Sequence, residues 1–245
     1  MGEFGISQPV RRREDQRLLT GAGRFIDDLS FPDMVHGYLL RSNQAHAQVT
    51  RLDISRAAAA DGVLGIVTAA DLRRDGVGEI SCVARPAVRA GTAYREHLQP
   101  LLAGDIARYV GEGIAFVVAE TLAQAKDAAE LIDVTYAPLA AIIGCDRAVG
   151  PDAPLVWADA ARNICFEWER GDRDAVAAVF AAAAHRVTLR VVNNRIVQNA
   201  IETRGAIGLW EAAACKFTLH TVGQMPNPLQ LQIAEGLFRV SPSQV

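Results

Sequence analysis

The chain has 245 residues, with 28 acidic against 25 basic side chains and a net charge of −3, which gives no electrostatic case for a nucleic-acid or anionic-membrane partner. Half of the residues are hydrophobic, an ordinary globular composition long enough for one large domain or two modest ones. No apolar run approaches the roughly 20 residues of a membrane helix. The four cysteines (Cys82, Cys145, Cys165, Cys215) are scattered without a Cys-x-x-Cys pair, which argues against a zinc or iron–sulfur site and for a reduced, cytoplasmic protein.

Residues 1–10 lack the basic-then-apolar layout of a secretory signal. A basic cluster follows (Arg11, Arg12, Arg13, Arg17, Arg24), with Glu14, Asp15, Asp27 and Asp28 among or just after it, and reads as a solvated or partner-facing segment. Adjacent aspartates on a strand would point to opposite faces, so Asp27-Asp28 reads as a polar turn and not as a metal site.

From residue 33 to about 139 short strands alternate with short helices. Met34–Arg41 is a predicted strand, followed by a polar loop. Gln48–Ile54 alternates as a strand and leads into a helix start at Ser55. Val63–Thr68 is a β-branched strand before a helical turn at Ala69–Leu72. Residues 75–95 have no period and read as a long loop. Ile114–Ala119 is a predicted buried strand. Thr121 caps a helix over Leu122–Leu131, with Leu122, Ala125, Ala129 and Ile132 at helical spacing. Asp133–Tyr136 returns as a strand, stopped by Pro138, to complete a compact αβ unit.

Residues 144–162, with Gly150, Pro151 and Pro154, read as an inter-domain linker. A second domain begins near residue 163 with a strand through Trp168. A helix capped by Asp172 follows over Arg173–Ala183. Strands are predicted at His185–Asn193, Gly205–Glu211 and Lys216–Val222, then a helix at Pro228–Leu237. Ser241-Pro242 reads as a turn, and Val245 as the first residue of a further strand.

The catalytic inventory from residue types is thin. The dinucleotide, P-loop, nucleophile-elbow and His-Glu-x-x-His motifs are all missing, and the five histidines stand singly, as structural histidines usually do. Two constellations remain. Glu202-Thr203-Arg204 reads either as an ion pair pinning two strands or as a direct chemical element. Gln224 follows Gly223 at a strand end and precedes Met225-Pro226-Asn227-Pro228. A primary amide donates two hydrogen bonds, so a fixed glutamine suits an oxo or carbonyl ligand, and equally suits its own loop backbone.

Several segments, taken in order, resemble the large subunit of the xanthine oxidase family of molybdenum hydroxylases, particularly carbon monoxide dehydrogenase-like large chains. They are 10–29 (VRRREDQRLLTGAGRFIDDL), 41–47 (RSNQAHA), 108–112 (RYVGE), 125–130 (AKDAAE) and 134–139 (VTYAPL). The resemblance implies an α+β chain: an N-terminal extension (1–18), an α/β-hammerhead domain (19–143), a linker (144–162) and the beginning of a molybdenum-cofactor-binding domain (163–245). By it, Gln224, beside Gly223, matches the glutamine that donates to the apical oxo ligand of molybdenum, and Glu202 and Arg204 match an architectural E-x-R element. It further implies a molybdenum–molybdopterin cytosine dinucleotide in the complete enzyme, with FAD on a medium subunit and 2Fe-2S clusters on a small subunit. The family's glycine-rich pterin loop and catalytic glutamate belong to segments beyond those matched here, so no catalytic and no metal-ligating residue is assigned and the chain is expected to be an oxidoreductase part that is inactive alone. A naturally split subunit and a non-catalytic interaction module are the alternatives. The family usually carries proline where Gly113 stands, which is expected to loosen a turn, and often T-Q-x-P-H where residues 223–227 read GQMPN.

Overall fold

The computed structural model describes residues 11–82 and 85–245; the first ten residues of the predicted N-terminal extension, including Val10 of the opening motif, lie outside the described residues. In chain order the first elements are α1 (Asp15–Leu19), β1 (His36–Arg41), β2 (Ala47–Asp53), α2 (Ser55–Ala58), β3 (Val63–Thr68) and α3 (Ala69–Arg74). Next come β4 (Ile106–Ala107), β5 (Gly113–Ala119), α4 (Leu122–Glu130), β6 (Asp133–Pro138) and α5 (Cys145–Ala148). The last are α6 (Arg173–Ala182), β7 (Ala206–Glu211), β8 (Lys216–Thr221) and α7 (Pro226–Leu231). The chain divides into two compact units, Met1–Asp33 with Ile196–Gln224, and Met34–Arg195 with Met225–Val245.

The larger unit holds two three-stranded antiparallel sheets, ordered β1-β5-β3 and β4-β2-β6. β5 alternates, so Ala115, Val117 and Ala119 face one side, where they are fully buried against Ala125, Ala128 and Ala129 of α4. Alanine on both surfaces lets the helix lie close to the sheet. Ile114 faces the other side and packs with Ala103 and Ala107. Leu40, Leu52 and Val134 touch both clusters, which joins them into one core.

The predicted strands and helices from residue 34 to 138 form where expected, with two refinements. The αβ unit of β5, α4 and β6 closes, but its strands lie in different sheets, because β6 pairs with β2 and β5 with β1 and β3. Leu122, read as part of the apolar stripe of α4, is 43% exposed, and Ala128 takes its place in the buried face. Thr121 caps α4 by accepting the Gln124 N–H at 3.2 Å. Gly113 is not in a turn at all. It opens β5, where an added Cβ would lie 3.0 Å from Leu39 Cδ1 and 3.2 Å from Leu102 Cδ2.

The segment read as a linker is folded onto this unit. The Asn163 side chain accepts from Val156 N–H at 2.8 Å and donates to the carbonyls of Ala148 (2.9 Å) and Pro154 (3.0 Å). Trp157 stacks on His97 with centroids 4.7 Å apart, and the Arg108 guanidinium lies 3.7 Å from the Trp157 ring centroid.

Two predicted strands do not form. At 163–168 the backbone accepts from Arg95 N–H at Cys165 O and from Arg89 N–H at Glu167 O. Those donors come from loop residues six apart, so no ladder develops. At 185–193 the chain is irregular, with Val187 91%, Leu189 81% and Val191 74% exposed. An alternating run is a strand only when a neighbour supplies the ladder bonds, and none is adjacent among the described residues. At the chain's end the expected turn forms: Ser241 accepts from Ser243 N–H and Pro242 fixes φ, giving a 3₁₀ turn over Pro242–Gln244. The helix predicted at Pro228–Leu237 begins two residues earlier and continues beyond α7 as a π-helical turn over Gln232–Phe238. Among the described residues no helix is long and apolar enough to cross a membrane.

Candidate cofactor-facing site

Gln224 lies at the end of the smaller unit, and the path to it starts from a two-stranded ribbon. β7 and β8 pair antiparallel from Ala206–Thr221 to Glu211–Lys216, with Trp210 and Phe217 side by side at 4.3 Å between ring centroids. Thr221 Oγ1 donates to Gly205 O at 2.9 Å, which closes the open end of the ribbon. The segment before β7 is tied to the start of the chain: Glu202 Oε1 accepts the Ile26 backbone N–H at 3.1 Å. Phe31 lies over the His220 ring at 5.2 Å. An added Cβ on Gly205 would lie 2.9 Å from Ile26 Cγ2, so glycine permits this close approach.

These contacts bear on the ion-pair reading of Glu202-Thr203-Arg204. Among the described residues no ion pair joins Glu202 to Arg204. Glu202 holds the backbone at Ile26, and Arg204 is exposed. Glu202 thus makes a structural contact through a carboxylate–amide bond and not an ion pair. Asp27 and Asp28 form the polar turn expected of them, a 3₁₀ turn in which the Asp28 carboxylate accepts the Phe25 N–H at 2.9 Å.

β8 ends at Thr221 and α7 begins at Pro226, where proline's fixed φ suits the first helical turn. Gly223 and Gln224 span the gap. Gln224 is exposed, and its amide makes no hydrogen bond among the described residues, so it is not consumed by its own loop. Nothing lies within 4 Å of where a Gly223 Cβ would stand, and Met225 is 58% exposed. The stretch offers an open approach to a free primary amide.

The other candidate residues stay apart. Among the described residues no group of three or more His, Cys, Asp or Glu side chains could hold a metal, and the four cysteines are exposed. His46 Nδ1 donates to Ala140 O at 2.8 Å, and His97 Nε2 pairs with Asp159 Oδ1 at 2.9 Å, so these lone histidines serve structure.

Three of the resembling segments meet in the larger unit, which no spacing in the sequence indicates. Ser42 N–H donates to Glu112 O at 2.7 Å, Gly111 N–H returns to Ser42 O at 2.8 Å, and Arg41 Nη1 reaches Gly111 O at 2.8 Å. Leu139 N–H donates to His46 O at 2.9 Å. Burial pushes the Tyr136 phenol above its ordinary pKa, while a hydrogen bond with the Ser42 side chain pulls it back. These polar motifs therefore build a junction between the segments that carry them.

Comparison with known proteins agrees with this layout. Residues 20–140 match the family model for the aldehyde oxidase and xanthine dehydrogenase a/b hammerhead domain, and residues 156–245 match that for the molybdopterin cofactor-binding domain. The carbon monoxide dehydrogenase large chain of Afipia carboxidovorans is 30% identical over 94% of this chain and 29% of its own length. The nicotine 6-hydroxylase large subunit of Paenarthrobacter nicotinovorans is 30% identical over 92% of this chain and 27% of its own. Quinoline 2-oxidoreductase from Pseudomonas putida 86 superimposes with a TM-score of 0.80 at 34% identity, over 96% of this chain and 29% of that one. The chain thus spans under a third of the length of the relatives it matches. With both domain models in the family's order across most of its length, the chain belongs to the molybdopterin-binding large subunits of the xanthine oxidase family of molybdenum hydroxylases.

Proposed function

We propose that this chain supplies the hammerhead domain and the opening part of the first cofactor-binding domain of a molybdenum hydroxylase, and that Gln224 is its contact to the cofactor. The observation that carries the reading is the Gln224 amide itself, exposed and unbonded among the described residues, between a strand end and a proline-started helix. An amide held this way donates a hydrogen bond to an oxo group without first breaking one of its own. Gly223 suits the approach because no side chain stands beside it.

When bound, the molybdenum cofactor, as its cytosine dinucleotide, supplies oxidation of a carbon substrate with oxygen drawn from water. This chain's part is to orient the cofactor at Gln224. The substrate is carbon monoxide, an N-heterocycle or an aldehyde, the first two as in the names of the carbon monoxide dehydrogenase, nicotine and quinoline enzymes and the third as in the family model's description. Electrons leave through a flavin-binding medium subunit and an iron–sulfur small subunit. No residue of this chain acts as the catalytic base, and residues 1–245 are inactive by themselves. The exposed run Val187, Leu189, Val191 supports that incompleteness over a self-contained interaction module.

Metal analysis of the purified 245-residue chain is expected to find no stoichiometric molybdenum, and stoichiometric metal would overturn the incompleteness. In the assembled enzyme, Gln224→Ala is expected to perturb the molybdenum spectroscopic signature and lower kcat by about tenfold or more. Gln224→Ala with an unchanged signature would remove Gln224 from the site.

A further inference from the structure

The larger unit contains a concave site, separate from Gln224 and independent of the cofactor reading. A pocket of about 390 Å³ opens between α3 and residues 96–108. Its apolar lining includes Leu72, Leu98, Leu102 and Ile106, with Trp157 beside them.

Two guanidinium groups, Arg73 and Arg108, line the same pocket. Nearby arginines have carboxylate partners: Arg74 pairs with Asp71 at 2.7 Å and Asp75 at 3.1 Å, Arg85 with Glu96 at 2.5 Å, and Arg89 with Glu167. Among the described residues Arg73 and Arg108 have none. Arg108 is held in place by the Trp157 ring at 3.7 Å and by an Nη1 bond to Ile106 O at 3.3 Å. Arg73 Nη1 lies against Gly104, 2.7 Å from where a Cβ would stand. The two groups therefore rest against one segment, at Gly104 and at Ile106.

Three acidic residues also line the pocket. Glu96 is occupied by Arg85 and by the Cys82 N–H at 3.2 Å. Glu79 and Asp105 are exposed and oppose a doubly charged anion more than a singly charged one. An apolar lining and two guanidinium groups without carboxylate partners among the described residues suit an anion with an apolar body, a monoanion more than a dianion.

We propose that this pocket binds a small organic carboxylate, its apolar body on Leu72 and Leu102 and its carboxylate between Arg73 and Arg108. Titration of the 245-residue chain with sodium benzoate, followed by calorimetry and by tryptophan fluorescence, tests this. Saturable one-to-one binding is expected, weakened about tenfold by Arg73→Gln, which removes one charge-assisted hydrogen-bonding group. Arg73 is exposed and unbonded among the described residues, so the variant leaves the fold intact, as circular dichroism should confirm. Gly104→Ala, whose methyl displaces Arg73 Nη1, should weaken binding in the same direction. Inorganic phosphate should bind more weakly than benzoate. No saturable binding, an affinity unchanged by both substitutions, or phosphate binding tighter than benzoate would each overturn the assignment.

Discussion

The Arg108 backbone N–H donates to Glu112 Oε2 at 2.5 Å, and Glu112 is only 3% exposed, so this carboxylate closes its own loop from the inside. The Glu112 carbonyl then receives Ser42 N–H, which ties the 108–112 loop to the 41–47 loop. Glu112→Ala should leave a buried N–H without its acceptor and cost about 2–3 kcal/mol in urea denaturation. Glu112→Gln keeps one acceptor oxygen and should cost less than the alanine. Equal losses for the two would mean that the carboxylate's packing, and not its hydrogen bond, matters here.

Ile114 is fully buried and belongs to the cluster that, through Leu40, Leu52 and Val134, connects the two sheets. Ile114→Ala is expected to destabilise the chain by about 2–5 kcal/mol, because few neighbours can move in without separating β5 from residues 103–107. Chemical denaturation measures it. A loss under about 1 kcal/mol would show that the second cluster collapses freely.

Acid should loosen α3. Asp71 accepts from the Thr68 hydroxyl at 2.6 Å and from Thr68 N–H at 2.9 Å, and pairs with Arg74; these bonds, the hydroxyl's first, lower its pKa from 3.8 to about 2. A carboxylate depressed in the folded state contributes stability above its unfolded value and loses it as pH falls towards the folded one. The contribution is therefore complete above 3.8 and is lost between 3.8 and about 2. Asp71→Asn should flatten that part of the stability profile while leaving the profile's shape unchanged near neutral pH. Thermal melts of both proteins across the window provide the comparison.

The segment 185–201 should exchange its amide hydrogens rapidly in the isolated chain. Val187, Leu189, Val191, Ile196, Val197 and Ile201 are between 74% and 94% exposed, and no strand covers them among the described residues. Hydrogen–deuterium exchange should reach completion there while β5 remains protected. Protection comparable to β5 would reveal a pairing that this fold lacks.

The elements between 34 and 138 were legible because each rests on local signals that survive folding. Val63–Thr68 is β-branched, Thr121 is placed to cap, and α4 repeats alanine at helical spacing. The strands at 163–168 and 185–193 were not, because strand identity depends on a neighbour, and alternation in one segment says nothing about whether that neighbour exists. The pocket between Arg73 and Arg108 was equally hidden. Its cations are thirty-five positions apart, and Trp157 comes from a stretch read as linker.

By itself the sequence determined the family, the order of the two domains and the choice of Gln224 as a candidate, since these follow from motifs in register along one chain. Only the tertiary structure decided that β5 and β6 belong to different sheets, that Glu202 bonds Ile26 N–H instead of pairing with Arg204, and that the Gln224 amide is unbonded among the described residues. The physical reason is common to all three. Hydrogen-bond partners are assigned by proximity in space, and residues far apart in the chain compete for each donor and acceptor only after the core has closed.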